Sequence, residues 1–445
     1  MDKEEVLELK FNKLSLLEVN PNLVTNIANI TLYITQVQSN DSNHIQNGTL
    51  AIKNLLATNK KETIEYMLNT GIINRFVQLI RQHENEPQTL GDIIIVTEEI
   101  LIDSKKILKD LVPDFIRNIV NVLLKNRQYT PIHIPIIHSL SNYGQKYRDL
   151  LLENDSLLPF IVEVVNADIV TPNSNFIVTR LATGLFSSLL KGKPLPKYNK
   201  IKCCIPLLFK LLKCNDEEIL QHACWSFYHI TGFEVSHLYD LVYQDKLLET
   251  LLPLLKSPHN TIIVPTTRAI GNLISEEYMF PIPTITTLCE YLHQLLYNQK
   301  KSVRQEVCWT ISNITATPEH IGLAISANLV PILIELIQGD NIDVQKEAVW
   351  ALSNIITLGL PQQVNYLANQ KGFLIGFCEV VGKHKDKYVL DSAIEALLKI
   401  AQSGEDVDTN DGHPYLKIMR ECNLKEKLLN LKHNCKDTQA LLEYL

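Results

Sequence analysis

Trp309 and Asn313 stand four residues apart, and Trp350 and Asn354 repeat the pair 41 residues later. On a helix, residues four apart share a face one turn from each other, so each pair sets an indole beside an amide. Indole faces attract cations and accept the aliphatic stems of lysine and arginine. An asparagine amide donates and accepts at once, which suits the regular backbone of an extended partner. Glu306 and Glu347 each precede a tryptophan by three residues and add negative charge beside these slots. The chemistry this pattern suggests is recognition of a basic, extended peptide. A plainer reading stands beside it: each Trp fills the space between packed units, each Asn caps or bridges neighbouring loops, and the glutamates line a solvated face.

The 41-residue offset belongs to longer segments. RQEVCWTISNITAT, residues 304–317, superposes on QKEAVWALSNIIT, residues 345–357. Upstream, TTRAIGNLIS places Arg268 and Asn272 in the same frame, and HACWSFYHITG places Trp225 and His229 there. Fainter copies put Ser188, Asn142 and Glu99 in frame, and EALLKIAQ does so for Lys399. The final stretch, RECNLKEKLLNLKHNCKDTQALLEYL, reads as the last helix of a half-formed terminal unit. A period of about 41–46 residues belongs to helical solenoids, in which no unit buries its apolar face alone.

The elements that position the ladder follow from that period. Apolar helices carry Pro113, Pro159, Pro206 and Pro331 near their starts, where a missing N–H costs no hydrogen bond. Leu329, Ile332, Leu333, Leu336 and Ile337 fall at helical spacing and form core. On the ladder helices themselves, Val307, Ile311 and Ile314, and then Ala348, Leu352 and Ile355, supply the buried stripe. The Trp/Asn face is left for a partner.

Composition agrees with helix and narrows the function. Of 445 residues, 46% are hydrophobic and 20% charged, while 16 glycines and 19 prolines are too few for a strand-and-turn chain. A net charge of -7 supplies no basic field for phosphate backbones, so no nucleic acid partner is expected. The start, MDKEEVLELKFNKLSLLEVN, lacks a basic leader, and no apolar run approaches the roughly 20 residues of a membrane span. These features predict a soluble, intracellular protein with no membrane contact. Nine cysteines without a C-x-x-C pair predict neither a disulfide framework nor a metal site, and fit a reducing compartment. The common phosphate-loop, dinucleotide, zinc-protease and hydrolase motifs are missing, so no enzyme and no cofactor are expected.

The repeated segments resemble a known family. RQEVCWTISNITAT and QKEAVWALSNII are similar to the seventh and eighth repeats of importin-α, the armadillo-repeat adaptor for basic nuclear localisation signals. TTRAIGNLIS resembles its sixth repeat, HACWSFYHITG its fifth, and GHPYLKIMRECNLKEKLLNLKHN, from Gly412, its tenth. The resemblance implies an all-α, right-handed superhelical solenoid of about ten armadillo repeats over residues 31–445. It implies a minor groove built from Asn272, Glu306, Trp309, Asn313, Glu347, Trp350 and Asn354, with Arg268 where the family has arginine and Ser275 where it has threonine. Trp225 and His229 extend that peptide-binding set. The major groove is implied only in outline. Its Trp positions fall on Ile95, His138 and Gly184, and its Asn positions on Glu99, Asn142 and Ser188, so Asn142 alone is retained; Gly144 to Lys146 replace the stretch of the lysine-pocket aspartate.

Residues 1–30 form a separate N-terminal segment. There Lys3, Lys10 and Lys13 stand against Asp2, Glu4, Glu5, Glu8 and Glu18, where the family carries a basic importin-β-binding segment. The implied partners are cargo proteins with basic nuclear localisation signals, carriers of the importin-β family and an export receptor, with the protein in cytoplasm and nucleus. The competing expectation is an armadillo scaffold outside transport, whose concave face takes an acidic or hydrophobic partner.

Overall fold

A computed structural model describes residues 21–58, 60–68, 70–83, 86–103, 112–125, 130–142, 144–172, 174–276, 278, 280–403, 413–432 and 435–445. The charged residues of the N-terminal segment, Asp2 through Glu18, and Gly412 lie outside this set. Among the described residues every regular element is helical and there is no strand. The chain packs as two compact units, Met1–Leu207 and Leu208–Leu445. The helix Pro21–Gln38 runs across the 30/31 position at which the sequence reading starts the solenoid.

Each complete repeat is two shorter helices followed by a long inner one. Pro318–Ser326, Leu329–Gly339 and Ile342–Leu358 make one such unit, and Pro361–Ala368, Phe373–Lys383 and Lys387–Ser403 make the next. Local chemistry sets these boundaries. Pro318 and Pro361 open the first helices, where no N–H is needed. Asn328 (φ 57) and Gly372 (φ 84) turn the chain between first and second helix in the left-handed region, which asparagine and glycine enter most readily. The Asn341 side chain accepts the Asp343 N–H at 3.1 Å and starts the long helix. Pro113, Pro159, Pro206 and Pro331 all lie in the first turn of their helices, as the sequence pattern requires.

We label the long inner helices α1 (Ser42–Thr58), α2 (Pro87–Asp103), α3 (Thr130–Ser141) and α4 (Ile177–Leu190) in the N-terminal unit. In the C-terminal unit they are α5 (Glu217–Ile230), α6 (Asn260–Ser275), α7 (Lys301–Thr315), α8 (Ile342–Leu358) and α9 (Lys387–Ser403). Within the C-terminal unit each packs against the next. Val307, Ile311, Ile314, Ala348, Leu352 and Ile355 are fully buried between them, so the apolar stripe read from the sequence is the core. Two ion pairs recur one repeat apart: Arg304 Nη2 reaches Asp340 Oδ1 at 2.7 Å, and Lys346 Nζ reaches Asp386 Oδ2 at 2.7 Å. Each joins an inner helix to the loop that precedes the following one.

The C-terminal stretch differs from the single helix expected. It forms three helices, Pro414–Glu421, Leu424–Leu429 and Thr438–Tyr444. Asn423 (φ 53) and Asp437 (φ 58) adopt the left-handed conformation and break it, while Leu424, Leu428 and Leu441 bury the resulting short helices as a terminal cover. Among the described residues no single helix is long and apolar enough to cross a membrane.

Candidate functional site

The ladder asparagines link neighbouring inner helices. Asn313 Nδ2 on α7 donates to the Gly271 carbonyl on α6 at 3.0 Å, and Asn354 Nδ2 on α8 donates to the Ser312 carbonyl on α7 at 2.8 Å. Asn272 repeats the bond one unit earlier, reaching the Tyr228 carbonyl at 3.3 Å and Thr231 Oγ1 at 3.1 Å. In each case the carbonyl acceptor belongs to the residue just before the frame position of the preceding repeat. Part of the regular backbone that the asparagines need is therefore the solenoid's own. An amide nitrogen carries two hydrogens, so Asn313 and Asn354 each keep one N–H and the side-chain oxygen for another partner. Removing such a tie forfeits a net hydrogen bond, so Asn354→Ala lowers unfolding free energy by about 1 kcal/mol, read as a urea midpoint; an unchanged midpoint would deny the tie any net worth.

Beside these ties, the two tryptophans enclose an open recess of about 370 Å³. Trp309 and Asn313 form one wall, Trp350 and Asn354 the other, and Ser312, Ala316 and Glu347 complete the lining. Both indoles and both amides are half-buried, each presenting a surface to solvent. Burial, joined by the carboxylates of Glu306, Asp343 and Asp386 and opposed by Lys346, pushes the Glu347 carboxyl up to about 7. Lys346 is itself tied to Asp386, so among the described residues Glu347 has no ion-pair partner. The recess thus offers aromatic walls, unused amide groups and one uncompensated acid. Ser312 and Ala316 were not among the expected site residues, although Ser312 lies on α7 beside its ladder pair and Ala316 caps that helix.

The neighbouring slot is filled from within the chain. Arg268 Nη2 lies 2.6 Å from Glu306 Oε1, and its guanidinium stands 5.7 Å from the Trp225 ring centroid and 5.6 Å from that of Tyr228. Glu306 is buried by this pairing. Glu306, expected to add negative charge beside the slots, has that charge answered by Arg268. His229 stacks on Trp225, with ring centroids 6.3 Å apart and planes at 29°. Ser275 is exposed, and its hydroxyl donates to the Asn272 carbonyl of its own helix at 2.8 Å.

Asn142 belongs to the N-terminal unit and, among the described residues, makes no ladder bond. Its Nδ2 donates to the His138 carbonyl of α3 at 3.0 Å, and the residue is exposed. The tie in that unit is a short hydroxyl–hydroxyl bond between Ser141 on α3 and Ser188 on α4. Ser188 holds the frame position and Ser141 precedes the frame residue before it, so the register is that of the asparagine ties, but side chain meets side chain in place of a backbone carbonyl. Ile95 and His138 are half-buried and Gly184 is buried.

Comparison with known proteins bears on this arrangement. Residues 317–357 match the model of the Armadillo/beta-catenin-like repeat, a stretch that holds Glu347, Trp350 and Asn354. Importin subunit alpha-1b of Oryza sativa subsp. japonica is 27% identical over 415 residues, covering 90% of this chain and 74% of that protein. The chain is similar to importin alpha subunits over about nine-tenths of its length. Importin subunit alpha-4 of Arabidopsis thaliana is 25% identical over 414 residues, with 91% of this chain and 75% of that importin alpha covered. An engineered protein of known crystal structure shares the fold at a TM-score of 0.74 and 18% identity, over 94% of this chain and 97% of that one. The importin alpha relatives thus match along nearly the whole described chain, including the N-terminal unit in which no indole ladder stands.

Proposed function

We propose that the protein is a nuclear import adaptor that binds basic localisation signals of cargo proteins, mainly in the groove of its C-terminal unit. The observation that carries this reading is the recess between Trp309 and Trp350, which has indole walls, amide groups and the unpaired Glu347 carboxylate. An extended peptide lays a lysine or arginine stem between the indoles, with its cation toward Glu347. The remaining N–H and oxygen of Asn313 and Asn354 bond to the peptide backbone. Cation–aromatic contacts at ~0.5–2 kcal/mol each and amide bonds at ~1 kcal/mol each support micromolar binding after ordering costs. The names of the curated relatives, importin alpha subunits, support the same role. With it come carriers of the importin-β family and an export receptor as partners, and passage between cytoplasm and nucleus.

A scaffold role outside transport is the second reading. It draws support from the N-terminal unit, where Ile95, His138 and Gly184 occupy the Trp positions. Fluorescence polarisation separates the two. A labelled lysine-rich peptide binds under the adaptor reading, and the same peptide with its lysines changed to alanine does not; equal binding of both, or of neither, favours the scaffold.

A further inference from the structure

We infer that Gly271 seats Trp309 and thereby holds the recess open, an inference whose consequence for binding rests on the basic-peptide reading above. Gly271 lies in the buried face of α6, immediately before Asn272. A β-carbon at this position would stand 2.3 Å from Cζ3, 2.8 Å from Cε3 and 2.9 Å from Cη2 of Trp309. Carbon atoms in contact keep about 3.5–4.0 Å apart, so the benzo edge of the indole rests on α6 in space that only glycine leaves. The neighbour here is a rigid ring system on a packed helix, not the free end of a flexible chain.

The same peptide unit does a second task, since the Gly271 carbonyl accepts the Asn313 amide at 3.0 Å. One backbone position on α6 therefore fixes both members of the Trp309/Asn313 pair. Glycine weakens a helix interior relative to alanine, and α6 gains nothing locally from having it. One repeat later the equivalent position is Ser312, whose side chain lines the recess itself. With glycine at 271, Trp309 sinks toward α6 and its far face is left as a wall of the recess. With any larger residue the ring is displaced from α6, toward the space a ligand needs. Gly271 is thus a positioning residue that acts through Trp309.

The chain has three tryptophans, Trp225, Trp309 and Trp350, which makes a direct test simple. In a Trp225→Phe/Trp350→Phe background, Trp309 is the sole indole, and its acrylamide quenching reports how it is seated. Adding Gly271→Ala should raise the quenching constant about twofold, as a half-covered ring loses its backing; an unchanged constant overturns the seating. In the otherwise unaltered protein, Gly271→Ala should weaken a lysine-rich peptide about fivefold by fluorescence polarisation, and have no further effect in a Trp309→Ala background. Equal losses in both backgrounds would overturn the claim that glycine acts through the indole. If the quenching shift appears but the unaltered protein binds no lysine-rich peptide, the seating stands and the basic-peptide reading falls. Circular dichroism on each variant confirms that the helices persist, and the Trp309→Ala background removes the clash that could hinder folding.

Discussion

Affinity for a lysine-rich peptide falls about a hundredfold when Trp309 and Trp350 are both replaced by alanine, because two indole walls contribute roughly 3 kcal/mol between them. The two rings are half-buried and line the recess. Their helices are held by Val307, Ile311 and Ile314 and by Ala348, Leu352 and Ile355, which are fully buried and untouched by the change. The thermal midpoint of the double variant therefore shifts little, and the loss appears as faster dissociation in fluorescence polarisation or stopped flow. Trp225 serves as an internal comparison. One face already meets Arg268 and another meets His229, so Trp225→Ala costs much less peptide affinity than either ladder substitution. Full affinity in the Trp309→Ala/Trp350→Ala protein would remove the recess from consideration as the binding site.

Glu347 makes the same binding event depend on pH. Its carboxyl is held near 7 in the free protein, chiefly by burial. A lysine or arginine cation seated beside it favours the ionised form, so the bound state has the lower pKa. At pH 8 the acid is already ionised and the ligand meets a negative charge. As pH falls through 7 the free protein takes up a proton that the ligand must expel, and affinity drops, by about tenfold between pH 8 and pH 6 if the cation draws the pKa down by two units. Peptide lysines and arginines stay charged throughout this window. Isothermal titration in two buffers of different ionisation enthalpy should show proton release near pH 7 in the unaltered protein and none in Glu347→Gln. A flat profile in the former, or the same slope in both, would contradict it.

The stability of the fold runs the other way. Because the folded pKa lies above the ordinary 4.5, the native chain binds this proton more tightly than the unfolded chain. Glu347 therefore detracts from stability progressively as pH rises from 4.5 through 7, and Glu347→Gln should melt higher than the parent at pH 8 while binding peptide more weakly. A gain in fold stability accompanied by a loss in binding is the mark of a residue retained for its site.

Much of this was legible in the chain itself. The repeat frame rests on identical Trp/Asn spacing in two segments, and helix starts follow from Pro113, Pro159, Pro206 and Pro331. What stayed hidden depends on contacts between repeats. The partner of Glu306 is Arg268, 38 residues away on another helix, and no local pattern pairs them. The asparagines suit an extended backbone, yet the first backbone they meet is that of the preceding helix, through the carbonyls of Gly271 and Ser312. Lys399, read only as a frame residue, makes an analogous link by donating to the Thr357 carbonyl at 2.7 Å. The breaks at Asn423 and Asp437 escaped because a left-handed residue inside an otherwise helical composition leaves only a weak local signal.

The asparagine ties also have a mechanical meaning. They are short tethers running along one side of the stacked inner helices of the C-terminal unit, and any bend that opens this side must stretch bonds of 2.8 to 3.3 Å. A peptide bonded to the remaining amide groups of Asn313 and Asn354 runs along the same line and adds a second set of tethers in parallel. On the peptide-binding reading, the occupied unit bends less easily than the empty one.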